Sequence, residues 1–232
     1  IDKEGELPTT SAPSPGNFAD AYQRAFAEGA DKVICFTVSG EVSATYKAAL
    51  AGKEFIKDEN VTVVDTKSLS MGQGYMVLEA AKLAEQGKEP QEIIAGAEEV
   101  RGRTHLFAAL STLKYMAMSG RVGHLTAGMA NLLSIKPILS IQDGKLDLLE
   151  KVRTKGKSWQ RVIELVDNEV GEKRIEKMSL LHVNALEDAK AFETQIRDQI
   201  RCPEKIPYYE LTPGLSVHAG SGLVGVTFVV AR

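Results

Sequence analysis

Apolar residues along the chain fall into two alternating rhythms, helical spacings and short unbroken runs, and that alternation sets the first expectation of fold. Phe18, Tyr22, Ala25 and Phe26 recur at helical spacing, with Ser14-Pro15 as a start signal and Gly29 as a stop. "KVICFTV" is then an unbroken apolar run with β-branched residues, the pattern of a strand covered on both faces. A helix from about 44 to 56 follows and "NVTVVD" repeats the strand. "TKSLSMGQG" reads as loop, and Tyr75 to Gln86 as a helix closed by Gly87. Strand, hydroxyl-rich loop and helix thus occur twice. This predicts right-handed parallel βαβ units whose ligand sites collect beyond the carboxyl ends of the strands.

A helix over 90–101 leads into "THLFAALS", a third strand, and "TLKYMAMSGRVGHLTAGMANLLSI" reads as two short helices broken around Ser119 to Gly123. The character then changes. "KPILSIQDGKLDLLEKVRT" carries two β-like runs about Asp143-Gly144, a strong hairpin signal. A helix with Trp159, Val162, Ile163 and Val166 on one side follows. After it come strands in "MSLLHVN", "IPYYEL" and "GLVGVTFVV", and a helix through Phe192, Ile196 and Ile200. The expected class is α/β in two packed domains, residues 1–100 with a parallel βαβ sheet and residues 101–232 with a mixed sheet.

Composition narrows the function classes. With 232 residues, 44% hydrophobic, 25% charged and a net charge of -3, the chain has the make-up of a soluble globular protein, and its charge points to neither nucleic acid nor an acidic membrane. No apolar run approaches the roughly 18 residues of a membrane helix and no signal segment opens the chain, so a cytoplasmic location without a stable membrane anchor is expected. Cys35 and Cys202 have no metal or redox spacing and read as reduced thiols. The chain begins at Ile1 rather than Met, and its natural N-terminal segment is expected to be missing.

Most catalytic motifs fail. "GSGLVG", residues 220–225, fits the dinucleotide fingerprint by letter, but only seven mostly β-like residues follow it, where a helix and an acidic residue are required. No glycine-rich loop ends in the Gly-Lys-Ser/Thr of a P-loop, and no serine sits in a nucleophile elbow. His105, His124, His182 and His218 form no metal-ligand spacing, and neither a metal nor a cofactor is expected. Three loops remain: "TTSAPSPG", "TVSGEVSATY" and "LSVHAGSGLVG". Hydroxyls and backbone N–H groups at a helix start are suited to an anionic head group. Each loop alone reads more readily as turn and cap chemistry, with His218 as a loop histidine. The basic run "KVRTKGKSWQR" reads as a solvated face or as a docking site for an acidic partner.

Taken together, "TTSAPSPGNF", "FTVSGEVSATYKAA", "VTVVDTKSLSMGQGY", "LKYMAMSGRVG", "IKPILSIQDGKL" and "HAGSGLVGV" resemble the successive signature blocks of the DegV family, in order and over nearly the whole chain. The resemblance implies a two-domain EDD fold that takes one long-chain fatty acid, such as palmitate, stearate or oleate, into an apolar tunnel, with the carboxylate held between the domains. It also implies a carrier without catalysis of its own, which presents the acid to a separate fatty acid kinase that makes acyl phosphate for phospholipid synthesis. By the same resemblance the head-group contacts fall on Thr10, with Ser11 beside it, on Ser43 and on His218, with Arg153 as a further contact. Ser39 and Thr45 are left with turn and helix-start duties.

Departures from the family pattern are Ala44 where glycine is usual, Ser11-Ala12-Pro13 for Ser-Gln-Pro, and the absence of the opening strand with its D-S-T-like turn. Met116, Met118, Met129, Leu132 and Leu133 are the expected tunnel lining, since methionine adapts to flexible apolar ligands, although they read equally as core. The alternative function is the substrate-binding subunit of a dihydroxyacetone-kinase-like system, in which a histidine engages a small carbonyl compound.

Overall fold

The computed structural model describes residues 7–121 and 135–232, which divide into two compact units. One comprises Ser11–Gly102 with the short piece Gln142–Lys145. The other comprises the residues up to Thr10, Arg103–Ile141 and Leu146–Arg232.

The first unit is a parallel βαβ arrangement. Helix α1 (Pro15–Ala27) starts as the sequence predicts: Pro15 occupies the first turn and the Ser14 hydroxyl accepts from the Asn17 N–H at 3.2 Å. Gly29 stands just past its end at φ +99°, the left-handed region open to glycine. Strand β1 (Val33–Thr37), helix α2 (Thr45–Ile56) and strand β2 (Val61–Asp65) follow, and β1 and β2 pair in parallel from Val33 opposite Val61 to Thr37 opposite Asp65. Helix α1 packs closely on α2 at Gly52, where a Cβ would lie 2.6 Å from Phe18 Cβ. Helices α3 (Ser70–Glu85) and α4 (Pro90–Gly102) pack through Met76, Ala80, Ile93 and Ala97, with Ile34 and Phe36 of β1 against them.

Two expectations change here. Helix α3 begins at Ser70 rather than Tyr75. Gly72 and Gly74 disfavour a helix by about 1 kcal/mol each, but Gly72 is buried and Gln73 Nε2 donates to the Phe36 carbonyl at 3.2 Å, so tertiary contacts hold the first turn. Strand β1 was expected to be enclosed on both faces, whereas Val33, Ile34, Cys35 and Phe36 are half-buried and Thr37 alone in the strand is buried. In the described residues β1 has one strand neighbour, β2, so an apolar run does not by itself imply full enclosure.

The second unit is built on a mixed six-stranded sheet in the order β5-β4-β3-β8-β6-β7 among the described residues. Its strands are β3 (Thr104–Ala109), β4 (Lys136–Gln142), β5 (Lys145–Val152), β6 (Ile175–His182), β7 (Tyr208–Glu210) and β8 (Val224–Val230). Strands β4/β3, β3/β8 and β8/β6 are antiparallel, and β6/β7 is parallel. The turn between β4 and β5 has Asp143 at φ +48° and Gly144 at φ +85°, the pair of left-handed residues that a two-residue type I′ hairpin requires.

Helices α6 (Lys155–Val170) and α7 (Leu186–Arg197) cover one sheet face. Trp159, Val162, Ile163 and Val166 meet Phe107, Ile138, Met178, Leu180, Val226 and Phe228 there, and the rings of Trp159 and Phe192 pack edge to face at 5.9 Å. Alternate strand residues point into this core, as a pleated sheet demands. Helix α5 (Lys114–Met118) is the first of the two short helices expected in this region, and the second falls outside the described residues. Helix α8 (Pro213–Ala219) replaces what reads as loop. Pro213-Gly214 resembles a turn signal, but proline is equally favourable in the first turn of a helix.

Candidate functional site

The two hydroxyl-rich loops lie at the carboxyl ends of β1 and β2 and are bonded to each other. Thr66 Oγ1 donates to the Thr37 carbonyl at 2.7 Å, and the Ser39 N–H donates to the Ser68 carbonyl at 2.8 Å. Asp65 Oδ1, at the end of β2, accepts from the N–H groups of Gly40 at 3.2 Å and Lys67 at 2.9 Å. Ser39 is fully buried, and its hydroxyl donates to the Gly144 carbonyl at 2.7 Å.

Ser43, half-buried, stands just ahead of α2. Its Oγ accepts from the Thr45 N–H at 3.2 Å and lies 2.8 Å from Thr45 Oγ1. Ala44 has φ -72° and ψ -1°, helical values open to any residue, so the departure from glycine introduces no backbone strain at this position.

Thr10 and His218 belong to the other unit and meet directly, Thr10 Oγ1 lying 3.0 Å from His218 Nε2. His218 sits in the last turn of α8 rather than in a loop. Its Nδ1 is buried and has no hydrogen-bond partner among the described residues. Burial first, and the positive charge of Arg121 second, hold the imidazole below its ordinary titration range, so the ring is neutral near pH 7.

The glycine-rich turn after α8 explains the false dinucleotide fingerprint. Gly220 and Gly222 have φ of +78° and +83°. A Cβ on Gly220 would lie 2.1 Å from Tyr115 Cδ2, and one on Gly222 2.4 Å from Ser111 Oγ. These glycines permit close packing and a left-handed backbone, and β8, not a helix, follows.

The remaining candidates differ in exposure. Ser11 and Arg153 are exposed. Met116 is buried and Met118 is half exposed on α5. Met129, Leu132 and Leu133 lie outside the described residues, as does His124. Sequence reasoning passed over two contributors. Asp65 organises both loops through backbone N–H groups, its position at a strand end being the available signal. Arg121, in "SGRVG", acts on His218 through its charge; that segment read as a helix break inside a signature block, with no role for the arginine.

Among the described residues no carboxylate engages His218 Nδ1, the position from which a third group orients a catalytic base. No group of His, Cys, Asp and Glu suited to a metal occurs among the described residues, and no described helix is long and apolar enough to cross a membrane.

A parallel βαβ unit followed by a mixed-sheet unit, with hydroxyl-rich loops at strand ends and a Thr–His pair, defines an α/β protein of the two-unit kind. The chain belongs to the DegV family: the model described as "Uncharacterised protein, DegV family" matches residues 1–231. A DegV domain-containing protein of Halalkalibacterium halodurans is 33% identical over 229 residues, covering 99% of this chain and 81% of the relative. Among solved structures, a DegV family protein of Corynebacterium glutamicum matches with a TM-score of 0.91 and 29% identity, covering 99% of this chain and 87% of that one. A DegV family protein of Thermus thermophilus, described by its fatty acid binding, matches with a TM-score of 0.90 and 28% identity, covering 99% and 82%.

Proposed function

We propose that this protein binds one long-chain fatty acid, of the class of palmitate, stearate or oleate, with its carboxylate at Thr10 and His218, and that it acts as a carrier. Ser43 is a further proposed head-group contact, and Arg153 and Ser11 are secondary ones. The observation that carries the reading is the 3.0 Å contact between Thr10 Oγ1 and His218 Nε2 in a chain of this family. With the Nε2–H of the neutral imidazole donating to Thr10 Oγ1, the threonine proton is left to donate to a carboxylate. Support comes from the Thermus thermophilus protein, whose described property is fatty acid binding. Burying an acyl tail contributes about 0.8 kcal/mol per methylene, enough for tight binding with few polar contacts.

The carrier role extends to a separate fatty acid kinase that phosphorylates the presented carboxylate for phospholipid synthesis, and a cytoplasmic location goes with it. The test is organic extraction of the purified protein followed by mass spectrometry. A long-chain fatty acid is expected at close to one per chain, with retention weakened in Thr10→Ala and Ser43→Ala. A protein that carries no lipid and takes up none on incubation with oleate refutes the reading; binding of a small carbonyl compound instead supports the dihydroxyacetone-kinase-like alternative.

A further inference from the structure

Every polar group of Ser39 is used, and the bonds converge on the loop that carries Ser43. Its N–H donates to the Ser68 carbonyl at 2.8 Å. Its carbonyl accepts from the N–H groups of Val42 and Ser43, each at 3.2 Å. Its hydroxyl accepts from the Glu41 N–H at 3.2 Å and donates to the Gly144 carbonyl at 2.7 Å. Ser39 is fully buried, so none of these bonds is exchanged for water in the folded state.

The partner on the far side is just as constrained. Gly144, the second residue of the type I′ turn, has φ +85°, and a Cβ there would lie 2.6 Å from Ser39 Oγ and 3.3 Å from Lys67 Cα. Glycine is therefore required twice over, by its backbone angle and by the approach of the Ser39 hydroxyl. Lys145 and Glu41 form an exposed ion pair at 3.8 Å beside this contact.

We propose that Ser39 is the positioning residue for Ser43, and that it acts with the Asp143-Gly144 turn as a clamp on the segment from Ser39 to Thr45. The clamp rests on the reading of Ser43 as a carboxylate contact. A binding hydroxyl is effective only when a supporting shell fixes it to within about half an ångström. Here that shell is the Ser39 carbonyl under the Ser43 N–H and the Ser39 hydroxyl anchored to Gly144. Removing the hydroxyl strands the Gly144 carbonyl and the Glu41 N–H and frees the loop to drift, although Ser43 keeps its own side chain.

The experiment is a double-mutant cycle on the full chain, with oleate below its micellar concentration as the probe and affinity read by isothermal titration. Ser39→Ala removes both hydrogen bonds of the hydroxyl, and since part of that loss falls on stability it is expected to weaken binding by about three- to ten-fold, and to have no further effect when Ser43 is already alanine. A merely structural role predicts the same loss in both backgrounds, and that result overturns the clamp, as does a silent Ser39→Ala beside an effective Ser43→Ala. A silent Ser43→Ala removes the Ser43 reading itself, and the clamp with it. If Ser39→Ala does not fold, Gly144→Ala, which forces the same contact apart from the hairpin side, takes its place under the same criteria.

Discussion

Replacing Gly220 by alanine tests whether the glycine-rich turn is a packing device for the helix that bears His218. Two penalties add. Gly220 has φ +78° and ψ +161°, a region essentially restricted to glycine, and forcing a side chain into it costs about 1–3 kcal/mol. The new methyl group would also sit 2.1 Å from Cδ2 and 2.5 Å from Cε2 of Tyr115, a buried ring on α5, and overpacking of this kind costs a further 1–3 kcal/mol or so. The sum is about 2–6 kcal/mol. Urea unfolding should therefore show a lower midpoint at unchanged slope. In a Tyr115→Ala background the steric part should vanish, leaving about 1–3 kcal/mol of backbone strain. A Gly220→Ala cost below about 0.5 kcal/mol, the range of ordinary surface substitutions, would refute the argument. The full cost persisting without the Tyr115 ring would refute its steric half.

Two further outcomes follow from half-buried titratable groups. His218 is held below its ordinary range by burial and Arg121, and His105, stacked on Phe228, is held low by burial despite Glu169 at 3.3 Å. The unfolded chain then binds more protons below about pH 6.5, so their contribution to stability is complete above that pH and is lost as pH falls toward the folded values. Urea midpoints between pH 7.5 and 5 should fall, with a shallower slope in His105→Gln and shallower again with His218→Gln added; an unchanged slope in both variants rules this origin out. Burial raises the Cys35 and Cys202 thiols, so iodoacetamide should label native protein at pH 7.5 more slowly than urea-unfolded protein, and equal rates would contradict it.

Periodicity located most of the elements because burial is what periodicity records. Trp159, Val162, Ile163 and Val166 do line one buried face of α6, and Asp143-Gly144 does form the hairpin turn. The start of α3 and the whole of α8 escaped because glycine and proline near a helix start give the same local signal as a turn. What settles them is tertiary: the Gln73 bond to the Phe36 carbonyl, and Gly220 closing on Tyr115. Of the candidate residues, the resemblance to the family named Thr10 and His218, whereas the pattern alone gave turn and loop residues, and neither gave their contact, which spans 208 positions. The roles of Asp65 and Ser39 were hidden for a related reason, since both act through backbone groups that no side-chain motif encodes.

Hydroxyl bookkeeping sharpens the distinction among the residues at the strand ends. A serine or threonine oxygen has one proton to donate and two lone pairs to accept with. Ser39 has committed its proton to the Gly144 carbonyl and Thr66 has committed its proton to the Thr37 carbonyl, so neither has a donor left for an anion. Ser43 differs. Its oxygen accepts from the Thr45 N–H, and in its 2.8 Å contact with Thr45 Oγ1 either hydroxyl can be the donor. With threonine as the donor both lone pairs are filled and the Ser43 proton is left to donate, at a half-buried position where a charge-assisted bond to a carboxylate is stronger than in bulk water. The loop thus divides its labour by hydrogen-bond polarity: the buried hydroxyls hold the backbone, and Ser43, when threonine is the donor, keeps a proton for the proposed anionic head group.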